Sequence, residues 1–183
     1  RCVERAGLFL SELKLDLHRG KIPQFIAEST SISEVSDKFE LAEPAHIPSD
    51  SEWSAIRSQA ISAIQVFQTI SEHETAIREL ANSYFPCLSA LMGPLSASKL
   101  IVLAGTRERL ARMPSGSLQV LGASAAMAAH RRGAPPPKHG SILFSMPQIS
   151  RSPRWLRGKI SRFLAGKASI AVRIDHFGGT PWG

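Results

Sequence analysis

The sequence predicts a predominantly helical protein, on three observations. Apolar residues recur at steps of three, four and seven from Trp53 to Tyr84, the period of one long helix face. Serine, threonine and glycine stand at the positions that helix caps require through the second half. A second series at helical spacing runs from Leu156 to Phe177.

From the start, Val3, Ala6, Leu10, Leu13 and Leu17 share one face of a helix expected over 2–18, with Gly20 as its stop. Shorter helical pieces are expected at 23–29 and 32–40, and Pro44 and Pro48 mark a connector. Ser49-Asp50-Ser51-Glu52 reads as a capping box, in which the serine hydroxyl and the glutamate carboxylate satisfy each other's backbone N–H groups. Trp53, Ile56, Ala60, Ile64, Phe67, Ile70, Ile77, Leu80 and Tyr84 then form a narrow seam that ends at Pro86. A seam of that kind packs lengthwise on a helix of this chain or of residues beyond it, or else lies on its own globular core.

Short helices are expected after Pro86. Ser96 or Ser98 caps Lys99–Ala104, Gly105 closes it, Thr106 caps the next turn and Pro114 stops that one. One helix from Ser115 or Ser117 is expected to continue through His130 to Gly133, light in bulk from Gly122 to Ala129. Ile142-Leu143-Phe144 reads as a strand or a buried loop. Ser152 and Pro153 are expected as N-cap and first residue of the last long helix. Leu156, Ile160, Phe163, Ile170, Ala171, Ile174 and Phe177 cluster on its apolar side, with Lys167 snorkelling there, and the residues after Asp175 read as a frayed end.

The 183 residues allow one or two domains, and apolar and charged contents of 43% and 20% are ordinary for a globular chain. The net charge of +7 hides a split. Residues 1–108 carry 10 Lys+Arg against 14 Asp+Glu, whereas residues 109–183 carry 12 against 1. No acidic residue stands between Glu108 and Asp175. Such asymmetry points to nucleic acid or another anionic surface as partner of the second half. Cys2 and Cys87 are too few for a disulfide framework, so a reducing compartment is the default. No apolar run reaches transmembrane length, no signal-peptide pattern is present, and no membrane partner is expected. The chain begins with Arg1 rather than Met, so upstream residues are expected.

Enzyme motifs are absent: there is no nucleophile elbow, zinc-protease helix, phosphate loop or dinucleotide fingerprint. The six histidines show no ligand spacing, so neither a metal nor a cofactor is expected, and catalysis through His139 or Asp175 is the least favoured reading. What remains is the basic constellation: Arg131 and Arg132, then Lys138 and His139 on the stiff connector Gly133-Ala134-Pro135-Pro136-Pro137-Lys138-His139-Gly140, then Arg154, Arg157, Lys159 and Arg162. Guanidinium forks match phosphate oxygens, and a helix N-terminus at Ser152-Pro153 would add free N–H groups. A generally basic, solvated face is the alternative.

Several ordered stretches resemble one family: Leu100 to Gly105, Arg109 to Ser115, Gln119 to Ala123, Pro137 to Gly140, Ser152 to Trp155, Arg157 to Ile160 and Ala171 to Asp175. Together they resemble the Nop domain of box C/D ribonucleoprotein core proteins and a spliceosomal relative, over about residues 67–178. Lys138-His139-Gly140 and Ser152-Pro153-Arg154-Trp155 bring it nearest the archaeal branch. The resemblance implies an all-α fold, with a helical coiled-coil stalk leading into a helical Nop domain. The expected organisation is a partial amino-terminal helical segment at 1–48, a stalk helix at 49–85, the Nop domain at 86–178 and a tail at 179–183.

As partners the resemblance implies kink-turn RNA of the box C/D type together with a small ribosomal-type kink-turn-binding protein. It also implies fibrillarin through residues beyond these, which would do the methylation chemistry, and a homodimer through the stalk. The eight basic residues above would contact RNA, and Gln119 and Gly122 would lie on the composite RNA–protein surface. The location implied is the archaeal cytoplasm, or the nucleolus in a eukaryote. One departure stands out: where the family continues Glu-Lys-Ala-Leu-Phe, this chain reads Ser124-Ala125-Ala126-Met127-Ala128. A protein-interaction adaptor that has lost RNA binding is therefore the competing expectation.

Overall fold

The structure, a computed structural model, describes residues 2–10, 20–44 and 46–179. Every regular element among them is a helix. The chain divides into two compact units, Arg1–His73 and Glu74–Gly183, and the division falls inside one long helix.

In the first unit, α1 (Cys2–Ala6), α2 (Ile22–Glu28) and α3 (Ile32–Lys38) precede α4 (Asp50–Tyr84). Ala6, Leu10, Ile22, Ile26, Ile32 and Val35 bury together with Trp53, Ile56 and Ala60 from the first turns of α4. The helix expected over 2–18 stops at Ala6: Leu8 and Phe9 donate to the carbonyls three residues back, so Gly7 begins a turn. The remainder of that expectation, at 11–19, lies outside the described residues. The capping box forms as read: Ser49 N and Oγ donate to Glu52 Oε2 at 2.9 and 2.7 Å, while Glu52 N donates to Ser49 Oγ at 3.4 Å. Of the seam, Trp53, Ile56 and Ala60 are buried, while Phe67, Ile70, Ile77, Leu80 and Tyr84 are exposed.

The second unit is built around α12 (Arg157–Phe177), which packs on α5 (Pro86–Met92), α7 (Arg107–Arg112), α8 (Ser115–Gln119), α10 (Ser141–Ser145) and α11 (Pro147–Ser150). The remaining helices are α6 (Pro94–Ala104) and α9 (Ser124–Arg131). A helix with that many neighbours needs a slim face. Ser161, Ala165, Ala168 and Val172, at steps of four, three and four, supply it, together with Ser169 and Ala171. The bulky stripe read from the sequence is therefore corrected in phase: Phe163, Ile170 and Phe177 are exposed, while Ile160 and Ile174 pack at the edge of the core. Side chains of that size on the inner face would push the surrounding helices apart. Lys167 is exposed, its Nζ 5.6 Å from the centre of the Phe163 ring.

Other boundaries shift for identifiable reasons. α6 begins at Pro94 after Gly93 (φ +79°), and Ser98 Oγ donates back to Pro94 O instead of capping. Thr106 caps α7 as read, accepting from Arg109 N at 3.0 Å. The single helix expected from 115 to 132 is two, because Gly122 turns left-handed (φ +82°) between α8 and α9. Ile142-Leu143-Phe144 belongs to a one-turn helix rather than a strand or loop. The last helix starts at Arg157, not Ser152, since Ser152 Oγ donates to Gln148 O and Leu156 N closes a turn onto Pro153 O. It then continues through Phe177, with Gly178 (φ +86°) as its C-cap, so the end read as frayed is helical to that point.

Candidate nucleic-acid interface

Three of the basic residues, Lys138, Lys159 and Arg162, come together where the connector after α9 is pinned to α8. Gln119 Nε2 donates to Lys138 O at 2.6 Å, and Gly140 N donates to Gln119 O at 2.7 Å. The two bonds run in opposite senses and hold residues 138–140 against the end of α8. Gly140 is buried there, and a methyl on it would lie 1.9 Å from Leu121 O. On the other side, a methyl at Gly158 in the first turn of α12 would sit 3.5 Å from Lys138 Cδ.

These contacts enclose an open groove of about 580 Å³. Pro135–Pro137, Lys138 and Gln119 line one wall, and Trp155, Lys159 and Arg162 contribute from the start of α12 and the turn before it. Lys159 and Arg162 are three residues apart and so share a helix face. Among the described residues no carboxylate pairs with any of the three cations. The one acid of the second half, Asp175, is spent elsewhere, its two oxygens accepting from Cys87 N and Leu88 N at 2.9 Å each.

The other residues read as RNA contacts have different surroundings. Arg157 donates through Nε to Ser152 O at 2.9 Å and through its terminal nitrogen to Ser150 O at 3.1 Å. Its guanidinium carbon lies 5.5 Å from the centre of the Phe144 ring, so Arg157 ties the 150–152 turn to α12. His139 is half-buried and stacks on Phe144 at 4.7 Å and 14°. Arg131, Arg132 and Arg154 are exposed, near the end of α9 and in the turn before α12, and do not line the groove. Gly122 has a packing role: a methyl there would sit 2.5 Å from Ser141 Oγ. α9, which carries Ser124 to Ala128, buries no residue.

Sequence reasoning gave no role to Trp155 or to the proline wall as a surface. A tryptophan inside an acid-free stretch was the available signal, and its exposure came only with the structure. Among the described residues no group of three or more His, Cys, Asp and Glu could hold a metal ion.

A helical domain with a cation-lined, carboxylate-free groove has the electrostatics of a polyanion binder. The chain belongs to the Nop family, described as "snoRNA binding domain, fibrillarin", whose profile matches residues 13–182. It is 48% identical over 103 residues to an uncharacterized NOP5 family protein of Methanocaldococcus jannaschii, covering 56% of this chain and 25% of that one. It is 40% identical over 109 residues to human nucleolar protein 56, covering 58% and 18%. The chain thus spans a quarter or less of the length of these relatives. A crystal structure of a fibrillarin/Nop5p complex aligns with 99% of this chain and 60% of that one, at TM-score 0.50 and 28% identity.

Proposed function

We propose that this chain is an RNA–protein binding scaffold of a box C/D-like ribonucleoprotein. In this reading it recognises kink-turn RNA together with a small kink-turn-binding protein and supports guide-directed 2'-O-methylation by a partner enzyme, fibrillarin. The chemistry belongs to that partner; this chain supplies shape and charge. The observation that carries the reading is the groove in which Lys138, Lys159 and Arg162 meet, with no carboxylate among the described residues pairing with them, in a chain of a snoRNA-binding family. Lysine and arginine there would sit on phosphates, which fix register on a structured RNA without reading its bases.

The reading is tested by gel shift with kink-turn RNA, with and without the small kink-turn-binding protein, across a range of salt. The expected result is a ternary complex whose log K falls with log[salt] by roughly 0.7 to 0.9 per phosphate contacted. Replacing Lys138, Lys159 and Arg162 together by alanine should flatten that slope by about 2 to 3. Absence of a ternary shift refutes the reading.

A second reading, an adaptor that binds protein but not RNA, is favoured by one observation. Ser124, Ala125, Ala126 and Ala128 lie exposed on α9, where the family motif brings glutamate and lysine. Binding of the small protein without RNA, and with no salt-dependent RNA shift, supports it instead. Self-association through the exposed seam of α4 belongs to either reading and is measured by sedimentation.

A further inference from the structure

Among the described residues of the second unit, five Phe, Tyr and Trp rings are exposed: Tyr84, Phe144, Trp155, Phe163 and Phe177. Four of them already have a partner. Arg107 lies over Tyr84 at 3.9 Å, Phe144 meets His139 and Arg157, Lys167 lies over Phe163, and His176 contacts Phe177. Trp155, at 71% exposure, is the one left bare among the described residues of that unit. It stands on the groove that also receives Lys138, Lys159 and Arg162. These cations would provide the cation–π partners seen at the other rings, yet no such contact to Trp155 forms among the described residues.

We propose that Trp155 is a stacking platform for one unpaired nucleobase, with Lys138, Lys159 and Arg162 holding the phosphates on either side of it. The inference rests on the RNA-scaffold reading above and names a subsite within it. An unpaired base brings a flat apolar face and a flanking anionic backbone, and the groove offers a bare indole beside three cations that no carboxylate among the described residues pairs with. Within a paired stem the base faces are covered by neighbouring pairs, so the stem offers its backbone and groove edges but no free face to stack on. The groove volume of about 580 Å³ lies within the ~300–1,000 Å³ typical of small-ligand clefts, so it suits a nucleotide-sized group. The triproline wall is stiff and loses little entropy when a ligand lies against it. Stacking reads the π-face common to all bases, so the subsite distinguishes unpaired from paired nucleotides more than one base from another.

The experiment compares the whole chain with Trp155→Ala and Trp155→Phe, using a uridine oligonucleotide of roughly ten nucleotides and a blunt RNA duplex as probes. Tryptophan emission and Kd are both followed. Single-stranded RNA should quench the emission of the wild type, and that quenching should disappear in both variants, which isolates Trp155 from Trp53 and Trp182. Trp155→Ala should weaken the oligonucleotide about ten-fold, the order of magnitude carried by one base–aromatic stack. Trp155→Phe, which keeps a ring, should bind within about three-fold of wild type, and duplex binding should not change in either variant. The salt slope should be the same in all three proteins, because indole neutralises no phosphate.

Equal losses for duplex and oligonucleotide, or no loss for either, overturn the stacking role and leave the scaffold reading intact. If the wild type binds neither RNA, the stacking role falls, while the scaffold reading is decided separately by the ternary gel shift. A change in Trp155 emission on adding the small kink-turn-binding protein without RNA assigns the ring to a protein contact and overturns the proposal.

Discussion

Asp175, near the end of α12, caps the helix that carries Cys87: its Oδ1 accepts from Cys87 N and its Oδ2 from Leu88 N, both at 2.9 Å. The residues are 88 apart in sequence, so one carboxylate closes the second unit end to end. It also removes the only acid of the second half from any role in neutralising the groove. Replacing Asp175 by alanine takes the carboxylate acceptor away from two N–H groups at residues that are themselves buried. The expected cost is about 2–4 kcal/mol, and Tm should fall by roughly 5–10 °C in a calorimetric melt. Asp175→Asn, which keeps one acceptor, should fall between.

Arg157 and Arg162 look alike in the sequence and should behave differently. Arg157 donates to Ser150 and Ser152 carbonyls, whereas Arg162 is exposed on the groove. Arg157→Ala should therefore lower stability by about 1–3 kcal/mol while leaving the salt slope of RNA binding nearly unchanged. Arg162→Ala should leave Tm unchanged and flatten the slope by about 1. Thermal melts and gel shifts on the two variants separate the roles.

Gln119 acts through the connector it pins. Its side-chain amide holds Lys138 O, and that wall of the groove is ordered before any ligand arrives. Gln119→Ala should weaken RNA about three- to ten-fold, the cost of ordering a side chain on binding, with an unaltered salt slope. A changed slope would instead mean that Gln119 controls which cations reach the RNA.

Gly140 has no room to change. Its φ of −83° is available to any residue, so the constraint is steric: a methyl would lie 1.9 Å from Leu121 O. Gly140→Ala should cost about 3 kcal/mol or more, read as a lower urea midpoint.

The start of α4 should respond to acid. Hydrogen bonds to Ser49, first from its hydroxyl and then from its backbone N–H, hold the Glu52 carboxyl below its ordinary value of 4.5. A carboxyl depressed in the folded state stabilises fully above its unfolded pKa and loses that contribution as pH falls through the folded one. Helicity at the start of α4 should therefore fade as pH drops below about 4.5 in the wild type. Ser49→Ala combined with Glu52→Gln should remove that dependence, as followed by amide exchange at Trp53.

Sequence alone determined what depends on near neighbours. The Ser49–Glu52 box, the Thr106 cap, the helix at 50–84 and the charge split are all local, because caps, periods and composition act over a few residues. The family resemblance also fixed the helical class. Tertiary structure decided which face of α12 is inside, because five helices must approach it and only alanine, serine and valine allow that. It decided that Arg157 braces a turn while Arg162 faces the groove, that Asp175 caps a distant helix, and that Trp155 stands bare. Each of these depends on residues far apart in the chain arriving at the same place, and no local pattern carries that information.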